Sequence, residues 1–292
     1  MSNPHPDSEL SLPRRLDQFL RRLDTRPRQR LGQNFMVDRA ALEFIREAVS
    51  RVPSSAILEI GPGAGFLTEQ LAGLGLPLTA VDMDHRFCQA LTERFASETS
   101  IRIVESDILR WDPDGSLPAA TFAVGNIPYN ITSPILEWLL SRRQLWSGAV
   151  LTVQKEFADR LAAAAGTRDC GPISVWMQLH ADIRILRTIG RGAFSPPPKV
   201  ESAVIQLSFL PEPRYAPGTG DILEKVMRSA FQMRRKQIHH AVKTAAGGSD
   251  PASRVFDQCG VSPQQRPETL TLQNWISLAA ALAVHQTKSS TS

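Results

Sequence analysis

The chain has 292 residues, room for one large domain and a small one, and its 42% hydrophobic and 21% charged content excludes a fibrous or disordered protein. Residues 1–7 carry no apolar signal, Ile276 to Val284 is too short to span a bilayer, and Cys88, Cys170 and Cys259 form no Cys-x-x-Cys pair, so a soluble, cytoplasmic protein without membrane association, disulfide framework or metal is expected. The net charge of +4 is mild but unevenly placed: Arg14, Arg15, Arg21, Arg22, Arg26, Arg28 and Arg30 form one cluster and Arg234-Arg235-Lys236 with His239, His240 and Lys243 a second, a pattern suited to a long polyanion.

Residues 1–25 read as a flexible basic arm, polar and Pro-rich at the tip. An amphipathic helix is expected over Ala40 to Val49 and a buried strand over Ala56 to Ile60. Helix Phe66 to Leu74, strand Pro77 to Val81, helix His85 to Phe95 and strands Ile101 to Val104 and Thr121 to Gly125 follow. Ser133 to Leu145 reads as a helix with Pro134 in its first turn. Ala149 to Val153 is a strand, Glu156 to Ala165 and Ile173 to His180 are helices, and Ile183 to Ile189 and Val200 to Phe209 are extended. Strands alternating with helices imply an α/β fold with a mostly parallel sheet covered on both faces. This domain is placed at residues 26–210. A Pro- and Gly-rich linker is expected at 211–220, a helical domain at 221–285 and a polar tail at 286–292.

The strongest local signal is Leu58-Glu59-Ile60-Gly61-Pro62-Gly63-Ala64-Gly65-Phe66, a buried strand entering a Gly-rich turn and then a helix. Glycines let the backbone approach a ligand, and the helix start supplies donor amides. Asp82 stands 21 residues after Gly61, at the end of the next strand, where a carboxylate can accept from both ribose hydroxyls of an adenosyl group. Asp107 closes the third strand and can accept from an adenine amino group; Asn126 closes the fourth. Such residues also serve as helix caps or turn formers, but together they line the strand-end rim where open α/β sheets bind ligands.

Gly125-Asn126-Ile127-Pro128-Tyr129-Asn130 carries the chemistry. An adenine N6 lone pair is delocalised into the ring, which makes it a poor nucleophile. If the Asn126 side-chain oxygen and the Pro128 carbonyl accept its two hydrogens, the nitrogen becomes more tetrahedral and its lone pair is freed. Proline fixes φ and steadies the carbonyl, and Tyr129 can stack on an extruded base. Positioning supplies most of the rate, and no strong general base is needed.

On these residues the chain resembles the ribosomal RNA adenine dimethyltransferase family, whose bacterial members dimethylate two adjacent adenosines near the 3′ end of small-subunit rRNA. The resemblance runs from about Arg28 to Leu282. Its markers are the segments 31–38, 59–65, 126–130, 154–156, 194–202 and 231–237. It implies a Rossmann-like class I methyltransferase fold with a seven-stranded sheet and a small all-α C-terminal domain. It also implies S-adenosyl-L-methionine as cofactor, no metal, and small-subunit rRNA in an immature 30S-type particle as partner, with a role in ribosome maturation. Carried over residue by residue, Asn34 and Met36 contact the cofactor, Gly61 its methionine moiety, Asp82 the ribose, Asp107 the adenine, and Asn126 both cofactor and target. Asp82 replaces a common Glu, so its reach is shorter. Phe194 either stacks on the second face of the base or belongs to the core. Arg28, Arg30, Lys199, Arg234, Arg235 and Lys236 are the candidate RNA contacts. Nothing calls for more than a monomer. The competing readings are an adenine methyltransferase for large-subunit rRNA or DNA, and a non-catalytic ribosome assembly factor.

Overall fold

Continuous apolar runs, one strand apart from the next by a helix, build the sheet. The computed structural model describes residues 10–28, 32–113, 115–167, 169–232 and 236–289. In chain order the elements are α1 (Leu12–Arg22), β1 (Phe35–Met36), α2 (Arg39–Ser50), β2 (Ala56–Ile60), α3 (Phe66–Ala72), β3 (Leu78–Asp82), α4 (His85–Arg94), β4 (Ile101–Glu105), β5 (Thr121–Asn126), α5 (Thr132–Ser141), β6 (Trp146–Gln154) and α6 (Lys155–Ala162). They continue as α7 (Pro172–Gln178), β7 (Ala181–Ile189), β8 (Phe194–Ser195), β9 (Ser202–Phe209), α8 (Gly220–Gln232), α9 (His239–Ala246), α10 (Ser249–Cys259) and α11 (Leu272–Ser289).

The seven-stranded sheet has the order β4-β3-β2-β5-β6-β9-β7. The pairs β2–β3, β2–β5, β3–β4 and β5–β6 are parallel, and β6–β9 is antiparallel. Every residue of β2 is buried, as expected of a parallel strand covered on both faces. The order reverses at β2, between β3 and β5, so the carboxyl ends there open a crevice at the switch point. The strand expected at Ala149 to Val153 extends to Trp146–Gln154, because β5 pairs from Trp146 to Thr152 on one side and β9 from Ala149 to Gln154 on the other.

The flexible arm requires correction. Residues 12–22 form a helix, not a loose segment. Leu12, Leu16 and Leu20 recur every fourth position, and all three are buried in the same core cluster as Phe66 and Phe87. Burying one apolar stripe holds a helix of this length, which would be marginal alone. Pro13 sits in its first turn, where its missing N–H costs nothing. Three of the cluster's arginines are engaged on this helix: Arg15 binds Glu69 at 2.6 Å and lies over the Phe66 ring, Arg21 pairs with Asp17, and Arg22 lies over the Phe19 ring.

The chain divides into two compact units. One comprises residues 1–158 and 184–209 and contains most of the sheet and α1 to α5. The other comprises residues 159–183 and 210–292, so the helical unit takes in α7 besides the C-terminal helices. Its hydrophobic core includes Trp275, Val226, Leu278 and Leu282, with Val175 of α7 and Leu179 at its C-terminal cap. Cys88 and Cys170 are buried free thiols and Cys259 is half-buried. Among the described residues no helix is long and apolar enough to cross a membrane.

Candidate active site

The crevice at the strand ends is a cleft open to solvent. Its floor starts at Gly61, whose φ of +70° is a backbone conformation that side chains avoid, and an added Cβ there would meet nothing within 4 Å. The backbone therefore faces free space at the place where a ligand can approach it. Asp82 closes β3 beside this turn. Its Oδ2 accepts from the Gly63 N–H at 3.1 Å and its Oδ1 from the Asp84 N–H at 2.9 Å. Burial raises the Asp82 pKa against the pull of these backbone donors. The two bonds fix the carboxylate while leaving lone pairs for a ligand hydroxyl. Asp107 has a double role: its Oδ1 accepts from the Leu109 N–H at 3.0 Å, shaping the turn after β4, and the residue also lines the crevice.

A second wall comes from the segment before α2. Gly32, Gln33, Asn34, Phe35 and Met36 all line the crevice. Their place is set by a two-stranded pairing, Phe35 with Ser195 and Met36 with Phe194, and by the Val37 N–H donating to the Ala193 carbonyl at 2.8 Å. The Phe35 ring passes so close to the Gly-rich turn that a Cβ on Gly63 would stand 3.0 Å from it. Phe35 also packs edge-on against Phe87 at 5.7 Å, and Phe87 meets Phe19 of α1 at 5.8 Å. Helix α1 thus supports the wall from behind.

Asn126 joins the two walls. Its Nδ2 donates to the Asn34 carbonyl at 2.7 Å. Because a backbone carbonyl can only accept, this bond fixes which end of the amide is nitrogen and leaves Oδ1 as a free-standing acceptor at the crevice. Pro128 lines the crevice as well. Its carbonyl accepts from the Ile131 N–H at 3.1 Å; the Thr132 hydroxyl lies 3.4 Å from it but 3.3 Å from the Tyr129 carbonyl, and with its single proton given to the latter one Pro128 lone pair stays open. Tyr129 is half-buried beside the crevice rather than in its lining, and its hydroxyl shares a 2.6 Å hydrogen bond with Ser202 Oγ.

The structure therefore brings Asn34, Met36, Gly61, Asp82, Asp107, Asn126 and Pro128 to one crevice. Phe194 is 3% exposed and belongs to the core cluster, in register with Met36 of the crevice wall. Lys199 and Lys236 are exposed. Arg28 is exposed but lies 3.8 Å from Asp84. Arg30, Arg234 and Arg235 fall outside the described residues.

Glu59 is the crevice residue that pattern reading treated only as part of a motif. It is 1% exposed, and its Oε2 has no hydrogen-bond partner among the described residues. Burial pushes its pKa to about 8, with the Thr68 hydroxyl opposing and the Asp82 charge adding to the rise. The signal was present in the sequence: a carboxylate inside an otherwise apolar five-residue strand. A buried carboxyl with an unpartnered oxygen, a glycine facing open space and a fixed Asp82 offer acceptors and clearance suited to a nucleoside-bearing ligand.

The family model for ribosomal RNA adenine dimethylases matches residues 25–283. The chain belongs to this family. Among its relatives, the ribosomal RNA small subunit methyltransferase A of Geobacter metallireducens is 40% identical over 263 residues, covering 88% of this chain and 96% of the relative. That of Pseudomonas putida is 38% identical over 266 residues, covering 89% and 97%. Among solved structures, the 23S rRNA methyltransferase ErmE superposes with a TM-score of 0.68 at 27% identity, covering 86% of this chain and all of the other. A dimethyladenosine transferase from Plasmodium falciparum has the same fold, with a TM-score of 0.70 at 24% identity over 85% of this chain and 97% of its own. Dimethylase membership makes the chain a methyltransferase with a Rossmann-like fold, and α1 lies before the first residue of the family match.

Proposed function

We propose that this protein transfers methyl groups from S-adenosylmethionine to N6 of two adjacent adenosines near the 3′ end of small-subunit ribosomal RNA, acting as a cytoplasmic monomer on an immature small-subunit particle. The observation that carries the proposal is the Asn126 amide, tethered through its nitrogen to the Asn34 carbonyl with its oxygen left as an acceptor at the crevice.

Gly61 and Met36 would hold the methionine end of the cofactor, Asp82 the ribose and Asp107 the adenine, with Asn34 and Asn126 where the two walls meet. When bound, S-adenosylmethionine supplies an electrophilic methyl group on a sulfonium. The chain's own work is positioning. Asn126 Oδ1 accepts one N6 hydrogen, and the second lone pair of the Pro128 carbonyl accepts the other. Holding both hydrogens away from the ring plane directs the nitrogen lone pair toward the methyl donor. The Tyr129 ring offers a stacking face to the extruded base, its orientation held by Ser202. The N6 nitrogen sheds a proton after transfer, so the site operates without a strong base.

The small-subunit target is supported by relatives of 38–40% identity whose names give that substrate. The likeness to ErmE at 27% identity favours a second reading, an adenine of large-subunit rRNA. Radiolabelled methyl transfer into immature small subunits, large-subunit rRNA and duplex DNA, run in parallel, separates them. Label is expected in dimethyladenosine of the small-subunit RNA. Label confined to either other substrate overturns the assignment.

A further inference from the structure

The antiparallel end of the sheet carries charge that the cofactor crevice does not use. Between positions 183 and 200 the chain has Arg184, Arg187, Arg191 and Lys199 and no carboxylate. Arg184 and Arg187 are exposed on β7, one of the two edge strands, and, three positions apart on a strand, stand on opposite sides of that edge. Arg187 lies over the Phe44 ring of α2 at 5.2 Å, and Arg191 Nε donates to the Pro198 carbonyl at 2.7 Å, which brings it beside Lys199. Among the described residues none of the four forms an ion pair. The neighbouring α2 carries Arg39, Glu43, Arg46 and Glu47, balanced in sign, with Glu47 pairing Arg51. A run of unneutralised cations on an edge strand is the electrostatic footprint of a phosphate chain.

The strip also leads to the chemistry. Three residues beyond Arg191, β8 pairs with β1 of the crevice wall; three beyond Lys199, Ser202 bonds Tyr129. Arg191 opens a short turn, Arg191–Ala193, that leads directly into β8. Resting on the RNA-methylation reading above, we infer that Arg184, Arg187, Arg191 and Lys199 form a track for the phosphates flanking the target adenosine, steering the strand to the Asn126–Tyr129 loop.

The test is RNA binding as a function of salt with the full-length enzyme, using immature small-subunit rRNA. Arg184→Gln/Arg187→Gln and Arg184→Glu/Arg187→Glu are compared with Arg102→Glu, an exposed position on β4 at the opposite edge of the sheet. The expected result is a salt slope shallower by about two and affinity weakened about tenfold or more, with Glu worse than Gln. Cofactor affinity and the Arg102→Glu variant should match the wild type, which shows that folding is intact. Unchanged slope and affinity in both double variants overturn the track while leaving the proposed function standing. A wild-type enzyme that binds no RNA overturns the proposed function itself. Vesicles of anionic phosphatidylserine form the remaining arm, and tighter binding to them than to RNA, lost in the double variants, assigns the strip to a membrane and overturns the inference.

Discussion

The two walls of the crevice are built on different physical terms. The strand-end wall, from Glu59 to Asn126, is part of a parallel sheet whose strands are buried on both faces, so its residues are located by the chain's own alternation of strand and helix. The N-terminal wall, Gly32 to Met36, has only a two-residue strand and depends on long-range partners: Ala193 and Phe194 in front, Phe87 and α1 behind. The first wall is a consequence of the fold; the second is laid on it and held by contacts. Among the described residues the Asn126–Asn34 bond is the hydrogen bond on which they meet, which makes it the sharpest place to test the difference.

Asn126→Ala should produce the largest effect. Transfer is expected to fall by about 100- to 1000-fold, the usual loss on removing one preorganised polar group from a reacting site. RNA affinity should stay near wild type. Wild-type turnover would remove the amide from the chemistry, and a parallel loss of RNA binding would mean the walls had separated.

Glu59→Gln probes the strand-end wall alone. With a folded-state pKa of about 8 above the ordinary 4.5, the folded protein retains a proton that the unfolded chain has released. Stability of the ligand-free enzyme should therefore fall as pH rises from about 4.5 to 8 and level off above that, and the Gln variant should lose this fall. By pH 8 the variant should be the more stable by a few kcal/mol, on the order of 1.4 per pH unit crossed. Identical pH–stability curves would mean that Glu59 is ionised in the fold.

Leu16→Ala tests the support behind the other wall. A buried leucine lost from α1 should cost about 2–5 kcal/mol in denaturant unfolding, whereas a truly loose arm would lose almost nothing. Tyr129→Phe should have the smallest effect. It removes the Ser202 hydrogen bond, worth about 0.5–1.5 kcal/mol, but keeps the ring, so transfer should persist. Abolished transfer would show that the hydroxyl, rather than the stacking face, is what the site needs.

Much of the strand-end wall was legible in advance because parallel strands and glycine turns leave local signatures. Gly61, Asp82, Asp107 and Asn126 each sit where a strand stops, and each lines the crevice. The helical character of α1 had its signal too, the four-residue spacing of Leu12, Leu16 and Leu20, which seven nearby arginines masked as a solvated arm. Phe194 could not be resolved from its neighbours. A Pro-rich loop suits an exposed aromatic as well as a braced core one, and only the packed structure shows Phe194 buried in the core cluster.

The sequence by itself determined the alternation of strands and helices from β2 to β6 and the residues at the strand ends, because strand and helix periodicity is set by near neighbours in the chain. Tertiary structure alone decided that Asn34 grips Asn126 across 92 positions, that β1 pairs with β8, and that the edge strand gathers exposed arginines. Contacts of that separation leave no periodic trace, since their energy comes from which surfaces meet once the sheet has formed.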